Sequence, residues 1–165
     1  MTMGNRALID LLLKDFAASL DVQTHNKLTP MHCAAQTYAG YVSILVMQKE
    51  WGFPVTVRDN YQATPLHFAI LKQEFMNVQL LIKCGAEVNA QDIRGQTPLH
   101  LAVMRIAANP DDFEIFKKII KELLFNGANR ELATDQGLTA RDLLDDIEAE
   151  LDDRDYAQLR SILTF

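Results

Sequence analysis

One short motif recurs along the chain and constrains its architecture more than any other feature. The copies read LTPMHCAA, ATPLHFAI and QTPLHLAV, and a degenerate fourth copy reads LTARDLL. Their threonines lie 35, 33 and 42 residues apart, at Thr29, Thr64, Thr97 and Thr139. A period of this length indicates that the chain is built from stacked copies of one supersecondary unit.

Each unit predicts a pair of helices. Threonine at the N-cap, followed by proline at the first helical position, is a typical helix start. A second amphipathic stretch ends at a glycine that suits the left-handed position after a helix, at Gly52, Gly85 and Gly127. The polar segment after each glycine supplies a turn into the next unit. Because one helix pair cannot bury its own apolar face, the units must stack.

With these motifs the sequence resembles the ankyrin-repeat family, whose units carry a TPLHxA signature at a 33-residue period. The resemblance implies an all-α fold, an ankyrin-repeat solenoid of stacked helix-turn-helix units with hairpin-like inter-repeat turns. We expect a single domain over residues 1–165. Its expected parts are a half repeat, three full repeats, the last with an insertion, and a C-terminal cap, at residues 1–26, 27–61, 62–94, 95–136 and 137–165.

Two units depart from the pattern. The segment from Thr97 to Gly127 is nine residues longer than its counterpart in the preceding unit, which predicts that both helices of the third repeat are longer by about one turn. We expect Asn109 to cap the second of them, with Pro110 at its first position. In the cap, Ala140 and Asp142 replace proline and histidine, so we expect the usual helix-start network to be lost there.

Composition places the protein in a broad class. The chain has 165 residues, 48% of them hydrophobic, and a net charge of −6. The acidity is concentrated near the end, where residues 131–165 carry 3 basic and 10 acidic groups against 13 and 12 in residues 1–130. We interpret this segment as the solvated face of the cap, with an interaction tail for a basic partner as the alternative.

Several function classes are disfavoured by the same composition. The negative charge argues against nucleic acid as a partner, and no apolar run is long enough to span a membrane. Two cysteines 51 positions apart give neither a disulfide framework nor a metal site. We therefore expect a cytoplasmic protein, although an exported form stays open if the native N-terminus is missing.

Enzyme chemistry finds little support in the motifs. His32, His67 and His100 occupy one place in the repeat, and the resemblance implies that they hold neighbouring units together with Thr29, Thr64 and Thr97. Cys33 follows His32 in the helix, and we expect it to be a buried small side chain. No nucleotide-binding, zinc-binding or nucleophile motif occurs. We expect no catalytic residue, no metal and no cofactor.

The resemblance also implies where a partner protein binds. In ankyrin-like stacks the turn tips and the first helices line a concave surface. The matching positions here are His25, Leu28, Tyr61, Leu71, Lys72, Ile93, Arg94, Met104 and Arg105. Several of these are apolar where solubility alone favours polar side chains, which indicates a binding surface.

We therefore interpret the chain as a monomeric, non-catalytic protein–protein interaction module. Two alternatives stay open: a dedicated inhibitor of one enzyme that uses the extended third repeat, and a regulatory fragment of a larger enzyme. In addition, residues 81–90 are similar to the ankyrin context in which asparagine is hydroxylated, so Asn89 is a modification candidate. A purely structural asparagine in the inter-repeat turn is the alternative there.

Overall fold

The computed structural model describes residues 25–164, and the half repeat expected at residues 1–26 lies almost wholly outside them. Eight α-helices occur in the described part, arranged in four consecutive pairs. They are α1 Pro30–Ala35 and α2 Gly40–Trp51, α3 Pro65–Leu71 and α4 Phe75–Lys83, α5 Pro98–Ala108 and α6 Phe113–Phe125, and α7 Ala140–Asp146 and α8 Asp153–Thr164. Short 3₁₀ turns cover Pro110–Asp112 and Glu148–Glu150.

The helices form two layers. The first helices α1, α3, α5 and α7 pack side by side, and the second helices α2, α4, α6 and α8 form a parallel row behind them. Each first helix also packs on the second helix of its own pair. Residues 25–164 contain no β-strand, only an isolated bridge between Ala133 and Thr139. The predicted all-α stack of helix pairs is confirmed.

The core runs along the whole stack between the two layers. Every unit contributes fully buried side chains, including Ile44, Leu66, Leu99, Phe116 and Leu144. Each such side chain stabilises the fold by about 1.5–3 kcal/mol relative to full exposure. Stability is therefore distributed over the contacts between neighbouring units.

The third repeat is extended as predicted. Helix α5 has 11 residues against 7 in α3, and α6 has 13 against 9 in α4, which is about one extra turn in each. The prediction that Asn109 caps the second helix is wrong. Its side chain makes no cap hydrogen bond, and Pro110 begins a 3₁₀ turn that delays the start of α6 to Phe113.

The cap keeps a helix-start network, contrary to the prediction. The backbone N–H of Thr139 donates to Oδ2 of Asp142 over 2.8 Å, and Oγ1 of Thr139 donates to the same oxygen over 2.7 Å. These hydrogen bonds lower the pKa of Asp142. A carboxylate thus replaces the imidazole at this position, but it is too short to reach beyond its own helix start as the histidine ring does.

Backbone hydrogen bonds connect the turn tips of successive units. The N–H of Asn60 donates to the carbonyl of Asn26 over 3.0 Å, and that of Ile93 donates to Tyr61 over 2.8 Å. The N–H of Asp135 donates to Arg94 over 3.0 Å, at the same place one unit further on. Because the pattern repeats, the tips are held in a fixed row beside the first helices.

The residue two places before each motif threonine adopts a left-handed backbone. Gly95 and Gly137 occupy this place in two units, with φ of 72° and 79°. Lys27 and Gln62 occupy it in the other two, with φ of 57° and 58°. A side chain in this conformation costs roughly 1–2 kcal/mol, whereas glycine adopts it freely.

We predict opposite effects for two exchanges at this place. Gln62→Gly removes the strain and raises the free energy of unfolding by about 1 kcal/mol. Gly95→Ala lowers it by a similar amount or more, because the new Cβ lies 2.7 Å from the backbone nitrogen of Asp135. Urea unfolding followed by circular dichroism measures both. A Gln62→Gly protein less stable than the parent contradicts the strain argument.

Candidate protein-binding surface

A histidine network fixes the start of the first helix in each of the three full repeats. Nδ1 of His32 accepts hydrogen bonds from the backbone N–H and from Oγ1 of Thr29, over 3.2 and 2.9 Å. Because Nδ1 is an acceptor, the ring carries its proton on Nε2, which donates to the carbonyl of Ala63 over 3.1 Å. One neutral ring therefore caps its own helix and binds the next unit.

The same network recurs at the second and third junctions. His67 accepts from Thr64 and donates through Nε2 to the carbonyl of Gln96 over 3.3 Å. His100 accepts from Thr97 in the same way, over 3.1 Å from the backbone and 2.7 Å from the hydroxyl. Its Nε2 is buried, and hydrogen bonding to the backbone of Leu138 and Leu132 raises the pKa of the ring against the larger effect of burial.

Burial keeps all three rings neutral. It lowers the pKa of His32, His67 and His100 from the ordinary value. Hydrogen bonding to the backbone of the next unit, and after it the carboxylates of Asp59 and Asp92, oppose this shift without cancelling it. At the first two junctions the neutral rings link neighbouring units, since Nε2 of His32 and of His67 each donate to a carbonyl of the next unit.

Two aspartates that the sequence analysis missed shape the turn tips. Oδ1 of Asp59 accepts from the backbone N–H groups of Tyr61 and Ala63, each over 2.8 Å. Oδ1 of Asp92 accepts from Arg94 and Gln96 in the same way, again over 2.8 Å. Their recurrence five residues before the motif threonine was a readable signal. Each aspartate fixes a tip so that its outermost side chain projects into solvent.

We call the surface carried by the tips and the first helices the inner surface. Tyr61 and Ile93 are 58% exposed at two tips, and Met104 is 38% exposed on α5. Among the basic candidates, His25, Lys72 and Arg94 are exposed, and Arg105 is half-buried. Leu28 and Leu71 are half-buried, and Leu71 packs against the core. The inner surface is therefore apolar and basic at the named positions of an acidic protein.

A groove lies on the inner surface between the third repeat and the cap. Its volume is about 390 Å³, and its walls include Arg94 from the turn tip before α5, Gln96 and Met104 from the third repeat, and Leu138 and Leu143 from the cap. The structure thus brings together Arg94 and Met104, two of the predicted partner-binding residues. It also adds Leu138 and Leu143, whose role depends on how the cap packs.

Three other residues for which the sequence predicts a role differ in exposure and hydrogen bonding. Cys33 is exposed, so the expectation that it is buried is wrong; it lies on the inner surface rather than between the layers. Asn89 is exposed and uses both ends of its amide, donating to the carbonyl of Gly127 over 3.0 Å and accepting from the N–H of Asn129 over 2.8 Å. Arg105 has a buried Nε without a hydrogen-bond partner in the described residues.

The described residues form neither a metal centre nor a membrane-spanning helix. No group of three or more histidine, cysteine, aspartate or glutamate side chains is placed there to hold a metal ion. None of the helices in residues 25–164 combines the length and the apolar character needed to cross a membrane.

Comparison with known families agrees with the geometry. A family model described as "Ankyrin repeats (3 copies)" matches residues 1–92, and one described as "Ankyrin repeat" matches residues 94–136. The chain belongs to the ankyrin-repeat family. Ankyrin repeats are generally protein–protein interaction modules, typically without catalytic activity.

The ankyrin-repeat proteins similar to this chain have names that refer to different kinds of protein. The chain is 36% identical over 87 residues to human ankyrin repeat domain-containing protein 53, covering 50% of this chain and 16% of that protein. It is 35% identical over 80 residues to mouse protein phosphatase 1 regulatory subunit 27, covering 48% and 46%. It is 33% identical over 88 residues to a putative palmitoyltransferase of Danio rerio, covering 53% and 13%. The chain thus spans less than half the length of each of these relatives.

We predict that the protein loses stability as the pH falls from about 7 to about 5. Burial lowers the pKa of the three histidines in the folded state below the unfolded value near 6.5, so protons bind the unfolded chain more readily. Above this value near 6.5, the neutral histidines contribute fully to the free energy of unfolding, and this contribution is lost as the pH falls below it. Urea unfolding at several pH values measures how the free energy of unfolding changes with pH.

A matched pair of variants tests whether the buried histidines cause this change of the free energy of unfolding with pH. His67→Gln removes one of the buried titrating groups and should reduce this change, whereas His25→Gln changes an exposed residue and should leave it as in the parent. Equal unfolding free energies at both ends of the range contradict the prediction.

Proposed function

We propose that this ankyrin-repeat chain is a non-catalytic module that binds a partner protein through its inner surface. The observation that carries the proposal is the exposure of Tyr61, Ile93 and Met104 at places that the fold holds rigidly. Exposed apolar area that solubility does not require is a common mark of a binding site. Aromatic, methionine and arginine side chains are also enriched at protein interfaces.

The fixed geometry of the tips supports this proposal. Tyr61 and Ile93 follow Asp59 and Asp92, whose carboxylates hold the tip backbone. A surface that is ordered before binding loses less conformational entropy when a partner arrives. The carboxylates that hold the tips make hydrogen bonds within the protein, so the projecting side chains of Tyr61 and Ile93 are available for contact with a partner.

The absence of catalytic activity is part of the same proposal. The three buried histidines, the strongest acid–base candidates in the sequence, are neutral and serve the helix starts. Cys33 and Cys84 are free thiols, and burial raises the pKa of Cys84, which disfavours the reactive thiolate. We further propose a monomer in a reducing, cytoplasmic setting, with no cofactor and with a protein rather than nucleic acid or a membrane as partner.

Photo-crosslinking from defined positions tests the proposal. We expect a photoreactive residue at position 61 or 93 to crosslink one partner protein in cells, whereas the same residue at position 42 or 76 should not. Val42 and Met76 are matched controls, because they are exposed apolar residues on second helices. Tyr61→Ala and Ile93→Ala should weaken capture while changing the free energy of unfolding by less than about 1 kcal/mol.

Two results with these variants would contradict the proposed binding surface. If Met76→Ala or Val42→Ala reduces capture and the tip variants do not, the partner binds the second-helix face. If the tip variants lose as much stability as core truncations, about 2–5 kcal/mol, these side chains are packed rather than available.

A second proposal is a dedicated inhibitor or regulator that uses the extended third repeat. It is supported by the extra turns of α5 and α6 and by the similarity to a protein named as a phosphatase regulatory subunit. Replacing the exposed residues 108–111 by glycine and serine should abolish inhibition of a captured enzyme without abolishing capture. Full inhibition by this variant rejects the proposal. Ile106 must be left in place because it is buried.

Two further proposals have narrower support. A role as the regulatory part of a longer enzyme draws on the similarity to a putative palmitoyltransferase. Hydroxylation of Asn89 draws on the local sequence and on the exposure of the residue, although both ends of its amide already link two turns.

A further inference from the structure

The groove between the third repeat and the cap lies beside the third of the histidine junctions. Nε2 of His32 and of His67 each bind a carbonyl of the next unit, at Ala63 and at Gln96. The equivalent backbone position for His100 belongs to Leu138, which also lines the groove. The groove therefore lies where the third repeat meets the cap.

The walls of the groove come from two units. Met104 lies on α5, and Leu143 lies on α7, so the distance between these helices sets the width. The volume of about 390 Å³ far exceeds the roughly 30 Å³ of one water molecule. The groove therefore has room for side chains of a ligand, against walls that are partly apolar.

Two donors at the groove have capacity for a ligand oxygen. Arg94 is exposed and makes no ion pair within the described part of the chain. The side-chain amide of Gln96 donates to the sulfur of Met104 over 3.3 Å, and a thioether is a weak acceptor. A carboxylate or a peptide carbonyl is a better acceptor for both groups.

The charged side chains at the groove determine where an acidic group of a bound ligand is favoured. Arg94 lies in the turn tip before α5, and Asp135, whose carboxylate is exposed, lies in the turn tip before α7. An acidic group is therefore favoured beside Arg94 and disfavoured beside Asp135.

We infer that this groove binds an extended segment of a partner protein in which an aliphatic side chain neighbours an aspartate or glutamate. The aliphatic side chain lies between Met104 and Leu143, and the carboxylate pairs with Arg94, within reach of the amide of Gln96. The inference rests on the proposed binding function and adds the place and the chemistry of the bound segment.

Fluorescence anisotropy with three labelled short peptides tests the inference on the whole chain. The first alternates aspartate and leucine, the second replaces each aspartate by lysine, and the third replaces each leucine by serine. We expect the first to bind at least about tenfold more tightly than either of the others, since each exchange removes one class of contact.

Protein variants locate the binding site. Arg94→Gln and Met104→Ala should each weaken binding of the first peptide by about tenfold. Lys49→Gln and Met76→Ala are matched controls on second helices and should bind like the parent. Arg94→Glu should reverse the preference, so that the lysine peptide binds better than the aspartate peptide. A merely structural role for Arg94 does not produce this reversal.

Several outcomes overturn the inference. They are equal binding of the aspartate and lysine peptides, parent-like binding by Arg94→Gln and Met104→Ala, and no binding of any peptide by a folded parent. If the proposed binding function is right, crosslinks from positions 61 and 93 to a partner are still observed in each of these cases. Failure of the groove is thus distinguishable from failure of the proposed function.

Discussion

The rest of the structure depends on the hydrogen bonds that a neutral histidine makes at the start of the first helix in each of the three full repeats. Through Nδ1 the ring binds the threonine that caps its own helix, and through Nε2 it binds a carbonyl of the next unit. A helix of six or seven residues is not stable alone in water, so these starts need support from outside the helix. The same ring thus sets the local structure and the spacing between units, and burial keeps it in the neutral form that both bonds need.

From that spacing follows the geometry of the inner surface. Once neighbouring units are in register, the backbone of each tip bonds the next tip, and the carboxylates of Asp59 and Asp92 fix the tips from within. Tyr61 and Ile93 then project from a rigid row rather than from free loops. A stack of marginal helix pairs becomes an ordered surface, which is the physical basis of the binding function proposed for this chain.

The last junction differs from the others in several ways at once. The helices of the third repeat are longer, and aspartate replaces histidine in the cap. The groove lies at this same junction. Asp142 keeps the start of α7 intact, but a carboxylate has no group that could donate as the imidazole ring does. The first helix of the cap therefore keeps a well-formed start without a histidine ring.

The sequence by itself determined the repeating helix pairs, because threonine, proline and glycine act on the backbone of their own unit. It also determined the extra turns of the third repeat, since nine added residues must be accommodated between the same caps. Its errors concern contacts that residue type does not decide: Asn109 was expected to cap, Asp142 to leave its helix start without a network, and Cys33 to be buried. Only the tertiary structure decided the groove between the third repeat and the cap. Met104 and Leu143 are 39 positions apart (143 − 104), and they become two walls of one site because α5 and α7 pack side by side.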